Sequence, residues 1–187
     1  MQGKYYVGHI TLIGMAGAGK SFVGQALAKR LKYNFIDVDE IIESKYKAEL
    51  KNIIEKLGKP GFIKVEEKTI LRLEKKLKNG DGHVVSPGGS VIYSKKAMGF
   101  LKKNSTVVFL NTPFKVIIKR VPSLSERGII NLGSQNLKRL YKKRLPLYKK
   151  YADVTLKLPE KIHLNTIVAK IIYELEKIKN YESRNFI

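Results

Sequence analysis

Ile10-Thr11-Leu12-Ile13-Gly14-Met15-Ala16-Gly17-Ala18-Gly19-Lys20-Ser21 runs from aliphatic residues into a glycine-rich segment. The stretch from Tyr5 to Ile13 predicts a β-strand. From Lys20 to about Leu31, Val23, Ala26, Leu27 and Leu31 share one face, which predicts a helix. Between the two lies glycine, four residues, then Gly-Lys-Ser, the spacing of a phosphate-binding loop in the strand-loop-helix setting that motif requires. Glycines let successive backbone amides turn towards phosphate oxygens, and the helix N-terminus adds positive potential. Gly14, Gly17, Ala18, Gly19, Lys20 and Ser21 are therefore candidate nucleotide-binding residues. Lys20 would reach the β- and γ-phosphates, and the Ser21 hydroxyl would ligate Mg²⁺.

Outward from this loop, short apolar runs alternate with longer amphipathic ones, as in an α/β domain with a mainly parallel sheet. Further strands are expected at Phe35–Val38, His83–Ser86, Thr106–Leu110 and Asp153–Leu158. Helical segments follow from Asp39 to about Leu57, with a break near Ala48. A turn is expected at Gly58-Lys59-Pro60-Gly61, then a long helix from Phe62 to Leu77. Residues 122–135 carry little periodicity and read as a lid. No repeat, linker or second domain is visible, so residues 1–187 are expected to form one domain.

Composition narrows the function classes. Of 187 residues, 43% are hydrophobic, enough for a core without staples. Cysteine is absent, which excludes a disulfide framework and any cysteine-based metal site. No apolar run approaches the roughly 20 residues that span a bilayer, and no signal-peptide pattern opens the chain. A soluble, cytoplasmic protein is expected, without a membrane partner. The formal charge of +21 could mark a nucleic-acid binder, but 30 of the 37 basic residues are lysines spread along the whole chain. That spread reads as a solvated surface rather than a nucleic-acid face. The three histidines are scattered, and the tyrosines form no stacking series.

A second chemical signal is Asp37-Val38-Asp39. Alternation along an extended strand would aim both carboxylates at one cavity. One could orient Mg²⁺, and the other could accept a hydroxyl proton from an acceptor. Alternatively, Asp39 caps the helix that follows.

These residues together resemble the shikimate kinase family. The resemblance rests on Leu12 to Ser21, Phe35-Ile36-Asp37-Val38-Asp39-Glu40, Gly88-Gly89, Arg127-Gly128 and Arg144-Leu145-Pro146-Leu147-Tyr148, in order along nearly the whole chain. It implies a three-layer P-loop fold of the nucleoside-monophosphate-kinase type, with a five-stranded parallel sheet. It also implies ATP and Mg²⁺, and transfer of the γ-phosphoryl to a hydroxyl of shikimate. Lys20, Asp39 and Arg127 are the implied catalytic residues, with Ser21 and Asp37 at the metal. Arg120 and Arg127 join the nucleotide site. Asp39, Gly88, Gly89 and Arg144 surround the acceptor, with Arg144 on its carboxylate. The expected partner is a small-molecule acceptor, and the expected state a monomer.

Two departures lie on the acceptor side. The family has arginine directly after the phenylalanine of its Phe-Arg-x-x-Glu string, whereas this chain reads Phe62-Ile63-Lys64-Val65-Glu66. It also has a third glycine where this chain has Ser90. An alkyl chain cannot reproduce a guanidinium–carboxylate fork. Glu66, one turn after Ile63, is retained and is a candidate acceptor-binding residue. A retained anion beside a lost cation leaves open an acceptor carrying an ammonium, such as homoserine, or a sugar acid. A nucleotide-binding or nucleic-acid-associated protein without transfer activity is the remaining alternative.

Overall fold

A computed structural model describes residues 8–79, 81–120 and 134–185. Five strands form one parallel sheet: β1 (His9–Ile13), β2 (Asn34–Asp37), β3 (His83–Ser86), β4 (Ser105–Asn111) and β5 (Val154–Lys157). Their order is β2-β3-β1-β4-β5. The expected five-stranded parallel sheet is therefore present. Of the residues expected in the lid, 122–133, Arg127 among them, lie outside the described residues.

Strand periodicity divides the core in two. Ile10 and Leu12 of β1, Val84 of β3, and Val108 and Leu110 of β4 face one side. There they meet Val23, Leu27 and Leu31 of α1 (Lys20–Leu31), and Ile167, Ile171 and Leu175 of the long helix Leu164–Asn185. Ile13, Val85, Val107 and Phe109 face the other side. They pack against α2 (Val38–Tyr46), α3 (Leu50–Leu71), the short α4 (Glu74–Leu77), α5 (Lys95–Asn104) and the helix Ser134–Tyr151. With the short α6 (Phe114–Lys119) counted, those two late helices are α7 (Ser134–Tyr151) and α8 (Leu164–Asn185). Strands buried on both faces read as near-continuous apolar runs, which is why β1, β3 and β4 were legible. Among the described residues no helix is long and apolar enough to cross a membrane.

Two local expectations change. The turn at Gly58–Gly61 is a break inside α3: Gly58 alone leaves helical geometry, at φ 65° and ψ 168°. A new helical segment starts directly after it, and Pro60 falls in that segment's first turn, where its missing N–H costs nothing. Near Ala48 the chain does break as expected, with Lys47 in left-handed geometry after α2. The second change concerns the aspartates. β2 ends at Asp37, and Asp39 lies in the first turn of α2 rather than on a strand. Asp37, not Asp39, caps that helix, its Oδ1 accepting from the Asp39 amide at 3.0 Å.

The sheet order places β1 between β3 and β4, with the chain first moving outwards to β2 on one side and later to β5 on the other. Such a reversal opens a crevice beyond the C-terminal ends of the strands. The glycine loop leaves β1 at that crevice.

Candidate active site

The loop after β1 is held in a conformation that side chains resist. Gly14, Gly17 and Gly19 take φ of +154°, +79° and +92°. A Cβ on Gly14 would stand 3.0 Å from the Leu110 carbonyl oxygen, so the loop passes tightly over β4. Thr112, just past β4, donates its hydroxyl to the Ala18 carbonyl at 3.1 Å. Gly19 directly precedes α1, so the open amides of the first turn face the loop's interior. Lys20 is buried and its Nζ donates to the Met15 carbonyl at 3.4 Å, which folds the ammonium back across the loop.

Ser21 and Asp37 meet beside this loop. The Ser21 hydroxyl donates to Asp37 Oδ2 at 2.6 Å, while Asp37 Oδ1 is taken by the helix cap. No group of three or more His, Cys, Asp or Glu side chains capable of holding a metal occurs among the described residues. Two hard oxygen ligands beside a phosphate loop nevertheless fit Mg²⁺, which keeps several waters and takes its remaining ligands from substrate phosphates.

A cavity of about 400 Å³ adjoins the loop. Ala16 and Lys20 line it from the phosphate loop, Asp39 from α2, and Lys59, Phe62 and Ile63 from α3. Gly88, Gly89, Ser90 and Tyr93 line it after β3, and Lys143 and Arg144 from α7. The structure thus brings Lys20, Asp39, Gly88, Gly89 and Arg144 to one cavity. Arg144 lies against the Tyr93 ring, 5.3 Å from its centroid, and its Nε donates to the Tyr93 hydroxyl at 3.4 Å.

Gly88 has no room for a side chain, and Gly89 has little. A Cβ on Gly88 would stand 2.6 Å from Glu66 Oε1 and 2.9 Å from Asp39 Oδ1. The Gly89 carbonyl accepts a 2.6 Å hydrogen bond from the hydroxyl of Tyr148, which is fully buried and stacked on Phe109. Burial pushes the Tyr148 phenol well above its usual range, so it stays a donor at any working pH.

Glu66 differs from its expected placement. It is 1% exposed, lies behind Gly88 and does not line the cavity. Ser90 Oγ donates to its Oε2 at 2.7 Å, and Oε1 has no hydrogen-bond partner. Burial, and secondarily the charge of Asp39, raise its pKa to about 7. The Ser90 hydrogen bond and the charges of Arg144 and Lys20 oppose that rise. A carboxyl so placed reaches the acceptor only through Ser90 and the Gly88 backbone, so direct capture of an ammonium by Glu66 has no geometric basis.

Arg120 lies on the far side of the loop, its Nη1 donating to the Gly17 carbonyl at 2.6 Å. It borders a second cleft of about 270 Å³ with Phe22, Val116, Leu158 and Pro159. Phe22 is 67% exposed at this cleft, so most of an apolar ring is left uncovered by the described residues. Phe22, Pro159, Lys59, Lys143 and Tyr93 line these two cavities and were not singled out from the sequence. Lys59 escaped because Gly58 to Gly61 read as a turn, whereas the helix resumes directly after Gly58.

Comparison with known proteins agrees with this geometry. The family model described as shikimate kinase matches residues 16–176. A shikimate kinase of Thermodesulfovibrio yellowstonii is 33% identical over 174 residues, covering 92% of this chain and 97% of that one. One from Haemophilus influenzae is 36% identical over 166 residues, covering 86% and 90%. Among solved structures, shikimate kinase from Acinetobacter baumannii in complex with shikimate superposes with a TM-score of 0.83 at 30% identity, covering 92% of this chain and 95% of that one. A P-loop sheet, an acceptor-sized cavity beside it and this degree of likeness along the whole fold lead to one assignment: the chain belongs to the shikimate kinase family, whose members are ATP-dependent kinases.

Proposed function

We propose that this chain transfers the γ-phosphoryl group of ATP to a ring hydroxyl of shikimate. The observation that carries the reading is the charge of the cavity wall. Among the described residues Lys20, Lys59, Lys143 and Arg144 line it against a single carboxylate, Asp39. Such a wall suits an anionic, hydroxylated acceptor and disfavours a cationic one.

In this reading the triphosphate lies on the Gly14–Ser21 loop and the adenine in the cleft between Arg120 and Pro159, covered on one side by Phe22. Mg²⁺, held by Ser21 with Asp37 beside it, would neutralise charge on the transferring group. Lys20, at the seam between loop and cavity, stabilises the same charge from the protein side. Arg127 is assigned to the phosphates by its match to the family. Asp39 accepts a hydrogen bond from the attacking hydroxyl, orients it, and takes its proton as the new P–O bond forms and the bond from the γ-phosphorus to the ADP oxygen breaks. Arg144 holds the acceptor's carboxylate, and its contact with Tyr93 fixes where the guanidinium stands. Gly88 and Gly89 let the ring approach the backbone. Positioning and preorganised charge supply most of the rate in a reaction of this type. The proposed setting is cytoplasmic, with the chain acting as a monomer.

The test is ADP release over a panel of shikimate, homoserine, gluconate and nucleoside monophosphates. Shikimate should give the highest kcat/KM. Preference for any other member would replace the acceptor while leaving the donor half standing.

A further inference from the structure

The cavity's two long walls are unequally equipped for a carboxylate. The α7 wall carries Arg144 with Lys143 next to it, whereas on the α3 wall Ile63 presents only an alkyl chain. Residues four apart on a helix share a face. One turn before Ile63 on that face stands Lys59, which also lines the cavity. The break at Gly58 makes Lys59 the first residue of the new helical segment that lines the cavity. No ion pair among the described residues involves Lys59. A lysine stem can lie along apolar surface such as Ile63 and Phe62 while its ammonium stays in the polar part of the cavity.

We propose that Lys59 is the second cation for the acceptor's carboxylate, facing Arg144 from the α3 wall and replacing a guanidinium at position 63. Lys143 is the weaker candidate because it follows the same helix as Arg144, so the two cannot close on a carboxylate from opposite sides. The assignment rests on shikimate being the acceptor. A flexible ammonium offers a point charge and no planar fork, so it tolerates more variation in the acceptor's orientation than arginine would.

The experiment compares the wild-type chain with Lys59→Met, Lys59→Arg, Lys143→Met and the double variant Lys59→Met/Ile63→Arg. Each is assayed with shikimate and with its uncharged methyl ester. Loss of one charge-assisted contact predicts a rise of about 10- to 100-fold in the shikimate KM for Lys59→Met. The ester KM should move by less than about twofold, because the ester has no charge to pair. Lys59→Arg and the double variant should recover most of the loss. An unchanged shikimate KM in Lys59→Met overturns the assignment, as does an equal rise for acid and ester, or a rise in Lys143→Met alone. Wild-type chain inactive on shikimate would instead overturn the acceptor reading, and the Lys59 assignment with it.

Discussion

Ser90 donates a 2.7 Å hydrogen bond to Glu66, and that contact joins one of the chain's departures from its family's pattern to a carboxylate that the pattern retains. In the family's pattern Glu66 would support an arginine at position 63, and Ser90 occupies the place of a glycine. With Ile63 offering no donor, a hydroxyl from the loop after β3 takes one oxygen of a carboxylate that is otherwise buried. The second oxygen faces Gly88 and has no hydrogen-bond partner. The acceptor pocket's rear wall therefore rests on a carboxyl that is costly to ionise.

Stability should report that cost. The folded pKa of Glu66 is about 7 against an ordinary 4.5, so the folded state favours the protonated form. Its stabilising contribution is complete below about pH 4.5 and is lost as pH rises through about 7. Glu66→Gln, which keeps an acceptor for Ser90 and cannot ionise, should be more stable than wild type at pH 8 by up to about 3 kcal/mol. The gain should shrink towards pH 5. Denaturant melts of both proteins across this range would show it, and a gain independent of pH would mean that Glu66 does not titrate there.

Gly88→Ala should be damaging out of proportion to one methyl group. The added Cβ would fall within 3 Å of both Glu66 Oε1 and Asp39 Oδ1, neither of which is the loose end of a surface chain. A loss of about 1–3 kcal/mol in stability is expected, together with a higher KM for the acceptor than for ATP. Calorimetry and steady-state kinetics would check the two halves separately.

Asp37 serves two elements at once, capping α2 and accepting from Ser21. Asp37→Ala should cost about 1 kcal/mol from the lost cap, lowering Tm by about 2–4 °C for a chain of this size. Its activity should fall by more than that loss of stability explains, and raising Mg²⁺ should recover part of it. A loss of Tm with full activity would leave Asp37 a cap and nothing more.

Tyr148→Phe isolates a buried support. It removes the 2.6 Å hydrogen bond to the Gly89 carbonyl and leaves that oxygen without its phenol partner, while the ring stays stacked on Phe109. A stability loss of about 1–3 kcal/mol is expected, with a raised acceptor KM as Gly89 relaxes. Unfolding curves and kinetics on the same preparation would measure both.

The donor half of the site was legible in the sequence because its parts are contiguous. Gly14 to Ser21 carries the loop, its strand and its helix within a single stretch, and Asp37 follows at the next strand end. The acceptor half was legible only as scattered matches, since α2, α3, the loop after β3 and α7 meet there through packing alone. Alternation aims Asp37 and Asp39 at one cavity only if extended backbone runs on to Asp39, and the cap at Asp37 shows that the helix has begun by then. Gly58 to Gly61 carried every sign of a turn, yet one glycine took the whole deviation and left Lys59 on the cavity. The Ser90–Glu66 bond spans 24 positions, and neither residue announces it alone.

In the proposed reaction Asp39 handles the shikimate hydroxyl that receives the phosphoryl group. The direct measurement is ADP release with shikimate by wild type and Asp39→Asn, with the product followed by phosphorus NMR. Wild type should yield a phosphate monoester of shikimate, and Asp39→Asn should lower kcat by about 10²- to 10⁴-fold at a similar ATP KM. Full activity in Asp39→Asn, or ADP released without a phosphorylated shikimate, would contradict the account.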